Sequence, residues 1–229
     1  MPFTMTHLCI ANNISIKLSK HIDNLPQFYL GSISPDAVHN RTNYISEYKA
    51  ASHLCLKGEI WGMVSGNDNW IKNVLQFLDK HKNTSNNSFL LGYCTHILSD
   101  IYNNITVWTP FREKNKNELK KGYGGLYHTE SNKIDINFAL TCPERSIFWS
   151  NIEQSKAIDF EHLIFANEIE EQKTKILYDW YSDKEIQEIS SNKIITYEET
   201  LQFIENASVF VIDMLQSPIL CQLNDMIVN

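Results

Sequence analysis

Two side chains in the most apolar stretch of this 229-residue chain are of a kind that binds metal ions. Within Phe89-Leu90-Leu91-Gly92-Tyr93-Cys94-Thr95-His96-Ile97-Leu98-Ser99-Asp100-Ile101, His96 and Asp100 stand four apart. On a helix that spacing puts them one turn apart on one face. The pair can grip one metal ion, or it can be a hydrogen-bonded core contact. Four further coordinating residues of the first half, His7, Asp36, His39 and His53, also sit in or beside apolar segments, whereas His21 and His81 lie among polar neighbours. Burying imidazoles and carboxylates without partners is costly, so placing this many in a core needs a reason. Metal coordination supplies one, because Zn²⁺ takes nitrogen and oxygen ligands where thiolates are not used, and an incomplete protein shell leaves water on the metal. Each histidine taken alone reads more readily as a hydrogen-bonded core residue than as a ligand. Together, Asp36, His53, His96 and Asp100 make a complete shell for one ion.

The elements that must position these groups read as helices. Eight Gly, six Pro and little strand-type alternation point the same way. Thr6 caps a first helix from about His7 to Ser19, with Leu8, Ile14 and Leu18 on its apolar face. Pro35 fixes a turn that presents Asp36. A helix from about Ser46 to Leu56 carries His53. Another starts at Asn67-Asp68-Asn69, and the polar run 81–87 ends it. The central helix spans about Ser88 to Thr106. Helices are also expected over Ser131 to Leu140, Ser146 to Ala157 and Glu161 to Tyr181, the last with Glu168, Glu170 and Glu171 on a solvated side. A final helix opens at Thr196-Tyr197-Glu198-Glu199 and runs to about Gln216, where Pro218 stops it. Arg112, Lys114, Lys116, Lys120 and Lys121 crowd before Gly122-Tyr123-Gly124-Gly125, either as a solvated loop or as a lid whose cations meet a substrate phosphate. These glycines match no phosphate-loop motif. With no repeat and no Pro-, Gly- or Ser-rich linker, residues 1–229 read as one all-α domain. Its ligands fall mostly in 1–140 and its packing helices in 141–229.

Composition narrows the field. With 43% hydrophobic and 21% charged residues, the chain is of ordinary globular type. A net charge of −7 argues against a stable nucleic-acid complex or an anionic-membrane binder. No window offers the apolar length of a transmembrane segment, and the amino terminus lacks a signal-peptide pattern. Five Cys with no CxxC point to a reducing cytoplasm rather than a disulfide framework.

Thr6-His7-Leu8, the run Phe28 to Asp36, Ser52-His53-Leu54 and Phe89 to Asp100 resemble the zinc-dependent phospholipase C family, which is related to the S1/P1 nucleases. The matching blocks span about residues 6 to 108. The resemblance implies an all-helical bundle in which Asp36, His53, His96 and Asp100 hold a first metal, and Asp100 bridges to a second with help from His7. It implies a zinc cofactor of two ions, with manganese or iron as alternatives, and a lipid or small-molecule phosphoester as substrate. Two departures stand out: secreted members use a mature amino-terminal Trp as a ligand where this chain has Met1, and the further His-xxx-Glu/Asp pair is absent. His39, His128, Glu130 and Asp135 are the candidates to replace missing ligands.

The expected chemistry is metal-assisted hydrolysis. A zinc-bound hydroxide attacks phosphorus, Asp36 orients or deprotonates that water, and Arg112 or Lys114 approaches the phosphate. Two other readings stay open. One is a non-catalytic metal-stabilised helical protein. The other is an interaction module that exposes its apolar carboxy-terminal helix. Oligomeric state is not legible.

Overall fold

The computed structural model describes residues 3–83 and 85–227, the last eleven of these by backbone only. Among the described residues it is all-α, with one isolated bridge between Phe160 and Ile164 and no strand. The helices are α1 (Thr4–Lys17), α2 (Leu25–Ile33), α3 (Ser46–Ser52), α4 (Asn67–His81), α5 (Asn87–Asn103), α6 (Thr109–Lys114), α7 (Lys116–Leu119), α8 (Tyr123–Thr141), α9 (Arg145–Gln154), α10 (Ala166–Thr174) and α11 (Tyr197–Ile227). A 3₁₀ turn, Ser34–Asn40, follows α2, and π-type turns follow α5 (Asn104–Trp108) and α10 (Lys175–Asp179).

The central helix α5 is apolar all round, and every residue from Ser88 to Ile101 is buried. A helix without a polar face must be covered on all sides. Helices α1, α2, α4 and α11 provide that cover. Its closest neighbour is α2, and the two helices cross at a pair of glycines. A Cβ on Gly92 would run into the Phe28 carbonyl and lie 2.9 Å from the Ser32 nitrogen, while one on Gly31 would meet the Phe89 carbonyl and the Tyr93 nitrogen. Glycine at both positions lets the backbones touch, which brings the turn after α2 down onto α5. One buried apolar cluster runs from Met5 on α1 to Leu215 on α11.

Several boundaries differ from those the sequence suggests. Helix α1 begins at Thr4 with Phe3 as its boundary, so Thr6 lies inside it. Helix α3 ends at Ser52, because Leu54 takes a left-handed conformation (φ 54°) and His53 becomes the terminal residue. The glycine-rich segment is helical from Tyr123 on and belongs to α8. The segment 155–165 is irregular, and Glu168 is not solvated. It is buried, forms a two-pronged ion pair with Arg41 (2.6 and 3.0 Å) and accepts the Phe165 N–H. The reciprocal cap at Thr196 and Glu199 opens α11 as expected. That helix continues beyond Pro218, the proline costing it a backbone hydrogen bond without ending it. Met1 lies outside the described residues.

Candidate metal centre

Four segments bring five side chains to one point. His7 comes from α1, Asp36 from the 3₁₀ turn, His53 from the end of α3, and His96 and Asp100 from α5. His53 Nε2 lies 3.4 Å from both Asp36 Oδ1 and Asp100 Oδ2. His96 Nε2 lies 3.7 Å from Asp100 Oδ2, 4.0 Å from Asp36 Oδ2 and 3.3 Å from His53 Nε2. His7 Nε2 faces the other Asp100 oxygen, Oδ1, at 3.6 Å, and the His7 and His96 rings stack at 3.7 Å. The ligand-type atoms form two groups that share His96: His7, His96 and Asp100, and Asp36, His53 and His96. All but Asp36 are buried; Asp36 is 27% exposed, toward a cavity.

The hydrogen bonds on the far side of each ring fix its tautomer. His96 Nδ1 sits 2.8 Å from the Ser32 carbonyl and His53 Nδ1 3.0 Å from the Lys49 carbonyl. A carbonyl only accepts, so both Nδ1 atoms carry the proton. His7 Nδ1 lies 3.0 Å from Ser99 Oγ, whose own proton goes to the His96 carbonyl, so this Nδ1 also donates. All three Nε2 atoms therefore turn lone pairs toward one another and toward two carboxylates. Lone pairs at these distances repel unless a cation lies between them. His7 Nε2 and Asp100 Oδ1 have no hydrogen-bond partner at all, though both are buried. Neutral imidazoles anchored through Nδ1, facing carboxylates, are the donor set a divalent ion takes, and the residues fit such an ion.

The protonation balance agrees. Burial holds His7 and His96 below the ordinary imidazole range, and the neighbouring His96 lowers His7 further. Burial opposes a charge on His53 too, but Asp100 and Asp36 outweigh it, and its pKa is raised. Burial likewise pushes Asp100 up, yet His53 and the other imidazoles hold it down to about 2. Without a metal, the His53 proton is the cation in the cluster.

The His53 backbone is unusually well held. Trp70 Nε1 donates to its carbonyl (2.7 Å), Asn73 donates to the Leu54 carbonyl (2.7 Å), and the Tyr93 hydroxyl donates to the Ser52 carbonyl. Asp36 is held by Lys49, whose ammonium lies 2.7 Å from Oδ1. Lys49 was not legible as a site residue, although its place four residues before His53 puts it on the same helix face.

The weaker candidates fall elsewhere. His39 stands at the rim, accepting from Lys49 at 3.1 Å; burial and that ammonium lower its pKa to about 4. His128 is exposed on the cavity wall against Phe3, outside the cluster. Glu130 is buried, but its two oxygens accept the Lys193 and Ile194 N–H groups (2.9 and 2.8 Å). Asp135 accepts from the Met5 N–H (2.8 Å) and the Tyr181 hydroxyl (2.6 Å), so it clips the start of α1. Both carboxylates are consumed structurally. Arg112 donates to the Gly62 carbonyl (2.9 Å), alongside Trp108 Nε1 (2.7 Å), and so pins the loop before α4. Lys114 is exposed, and neither it nor Arg112 lines the cavity. The cations that do are Lys49, Lys175 and Lys184.

The cavity measures about 900 Å³ and opens beside Asp36 and Asp100. Its walls carry four of the five tryptophans, Trp61, Trp70, Trp108 and Trp180. No helix among the described residues is long and apolar enough to cross a membrane. Residues 1–102 match the family model described as zinc dependent phospholipase C. No curated protein and no solved structure matches the chain.

Proposed function

We propose, from the match of residues 1–102 to the zinc dependent phospholipase C family model, that the chain is a zinc-dependent phosphoester hydrolase of phospholipase C type. The observation that carries this reading is the cluster of three inward Nε2 lone pairs and two carboxylates with two buried atoms left unpartnered. Asp36, His53, His96 and Asp100 would hold one ion, and His7 with the second Asp100 oxygen would hold another. When bound, such ions supply Lewis acidity toward a phosphoryl oxygen and toward water. The chain's residues do the rest. Ser32, Lys49 and Ser99 fix the imidazole tautomers and aim each Nε2 inward. Asp36 is the catalytic carboxylate. Its surroundings push its pKa up, but Lys49 and the imidazoles hold it well below the carboxylate range. A carboxylate that stays ionised orients an attacking water by accepting its hydrogen bond, in line with the departing ester oxygen.

The cavity favours a hydrolase over a metal-stabilised protein without turnover, because a purely structural ion needs no 900 Å³ approach beside its ligands. Its aromatic walls suit a phosphodiester with an organic group large enough to stack, such as a lipid phosphoester. We take residues 1–229 as one domain, a reading supported by the buried cluster that draws on both halves. Five Cys with no CxxC support a cytoplasmic setting. The test is hydrolysis of bis-p-nitrophenyl phosphate with added Zn²⁺, beside elemental analysis. The wild type is expected to bind zinc and turn over, and Asp100→Ala to do neither; equal rates for the two would remove the reading.

A further inference from the structure

The buried cation beside the proposed ligands has more donors than its contacts use. Lys49 has a side chain only 4% exposed, yet its ammonium forms part of the cavity wall. Two of its three N–H groups are used, one on Asp36 Oδ1 at 2.7 Å and one on His39 Nε2 at 3.1 Å. The face of Trp61 lies 4.8 Å away and closes another side. That leaves one donor with no partner among the described residues, on a nitrogen held fixed by two hydrogen bonds. A strongly hydrated ammonium is costly to bury with a donor unused. A structural counter-ion for Asp36 would not need to sit at the cavity, nor to keep that donor free.

We propose that Lys49 is a second catalytic residue, whose free N–H binds a non-bridging oxygen of the phosphoryl group under attack. The inference rests on the hydrolase reading above. As the water oxygen bonds to phosphorus, the ester oxygen departs with its electron pair and takes up a proton. Diester and water become a phosphomonoester and an alcohol, and the proton that water gives up ends on the departing oxygen. Negative charge gathers on the non-bridging oxygens during this exchange, and Lys49 keeps its own proton throughout while its hydrogen bond strengthens. The same ammonium fixes Asp36, so attacking water and phosphoryl group are registered against one another by a single side chain. Trp61, packed edge to face on His53 (4.4 Å) and over Lys49, keeps bulk water from competing for the donor.

The test uses the full chain loaded with Zn²⁺ and compares wild type with Lys49→Met and Lys49→Arg. It measures zinc content, melting temperature, inorganic phosphate binding by calorimetry and turnover of bis-p-nitrophenyl phosphate. Lys49→Met is expected to keep wild-type zinc content, to bind phosphate about tenfold more weakly, and to lose roughly 100-fold in kcat, the usual loss for one donor to a developing oxyanion. Lys49→Arg is expected to recover part of both losses. Unchanged phosphate affinity and kcat in Lys49→Met would overturn the proposal. So would zinc loss in proportion to activity, which would reduce Lys49 to a positioning residue for Asp36. If Lys49→Met does not fold, Lys49→Arg decides, since its displaced donors must alter phosphate affinity and kcat several-fold at unchanged zinc content. If the wild type binds zinc without turnover, the hydrolase reading fails by itself, and Lys49-dependent phosphate binding then stands or falls separately.

Discussion

At the scale of single residues, what an acidic or imidazole side chain does here is decided by what its second atom touches. His7, His53 and His96 each give their Nδ1 proton to an oxygen and so offer Nε2 inward. Asp36 and Asp100 meet those nitrogens, whereas Asp135, equally acidic, meets a helix-start N–H and a tyrosine hydroxyl. Burial raises the Asp135 pKa to about 6 against those two hydrogen bonds. The sign follows directly. Between about pH 4 and pH 6 the folded chain holds a proton that the unfolded chain has released, so stability falls as pH rises across that window. The loss is about 3 kcal/mol and is complete above pH 6. Asp135→Asn keeps an acceptor for Met5 and cannot ionise. Thermal melts of both proteins from pH 4 to 7 are expected to converge at the acid end and diverge above, with the variant the more stable; parallel curves would show that Asp135 does not titrate there. Such differences mark the limit of reading the site from sequence. The i,i+4 spacing of His96 and Asp100 and the apolar settings of His7, Asp36 and His53 were visible. The engagement of Glu130 and Asp135 was not, because their partners, Lys193, Ile194, Tyr181 and Met5, lie far away in the chain. Lys49 is not legible either, because a lone lysine two residues from Glu47 reads as solvated.

At the scale of elements, the crossing of α2 and α5 sets the cluster's dimensions. Asp36 rides on the turn that follows α2, and His96 and Asp100 ride on α5, so the gap between those helices becomes the gap between the proposed ligands. Gly92→Ala tests this. In a free helix the change would stabilise by up to about 1 kcal/mol. Here the added methyl meets the Phe28 carbonyl, which is backbone and cannot rotate away. Overpacking of this kind costs about 3 kcal/mol, so the steric term wins. The variant is expected to melt several degrees lower and, because Asp36 moves off α5, to bind zinc at least tenfold more weakly by titration. A variant that melts higher and binds zinc normally would show that the helices do not touch there. Sequence patterning revealed α5, which is apolar all round, and the cap at Thr196. It did not reveal the early end of α3 or the irregular 155–165 segment. The first depends on a left-handed Leu54 held by Asn73 from another helix. The second depends on Glu168 turning inward to Arg41, a partner 127 residues away.

At the scale of the whole molecule, an ion held by the cluster would couple metal binding to folding. The proposed ligands come from four segments between residues 7 and 100, and no unfolded chain holds them together. An ion bound across them stabilises the native state by mass action, about 2.7 kcal/mol when free zinc exceeds its dissociation constant 100-fold. For a chain of this length that corresponds to roughly 5–10 °C in melting temperature. Calorimetric melts with zinc and with excess EDTA should therefore differ by that much, and Asp100→Ala should show no difference. The shift should shrink in mildly acidic buffer, because an ion must displace the proton that Asp36 and Asp100 hold on His53. Identical melts with and without chelator would mean that the inward lone pairs are satisfied by that proton alone, and the metal-dependent reading would go with them. A full shift without phosphoester turnover would instead identify a protein that uses its ion to stay folded. The melts and the assay together thus separate the hydrolase from its non-catalytic counterpart, because the first asks whether the cluster takes a cation and the second whether the open cavity beside Asp36 puts that cation to use.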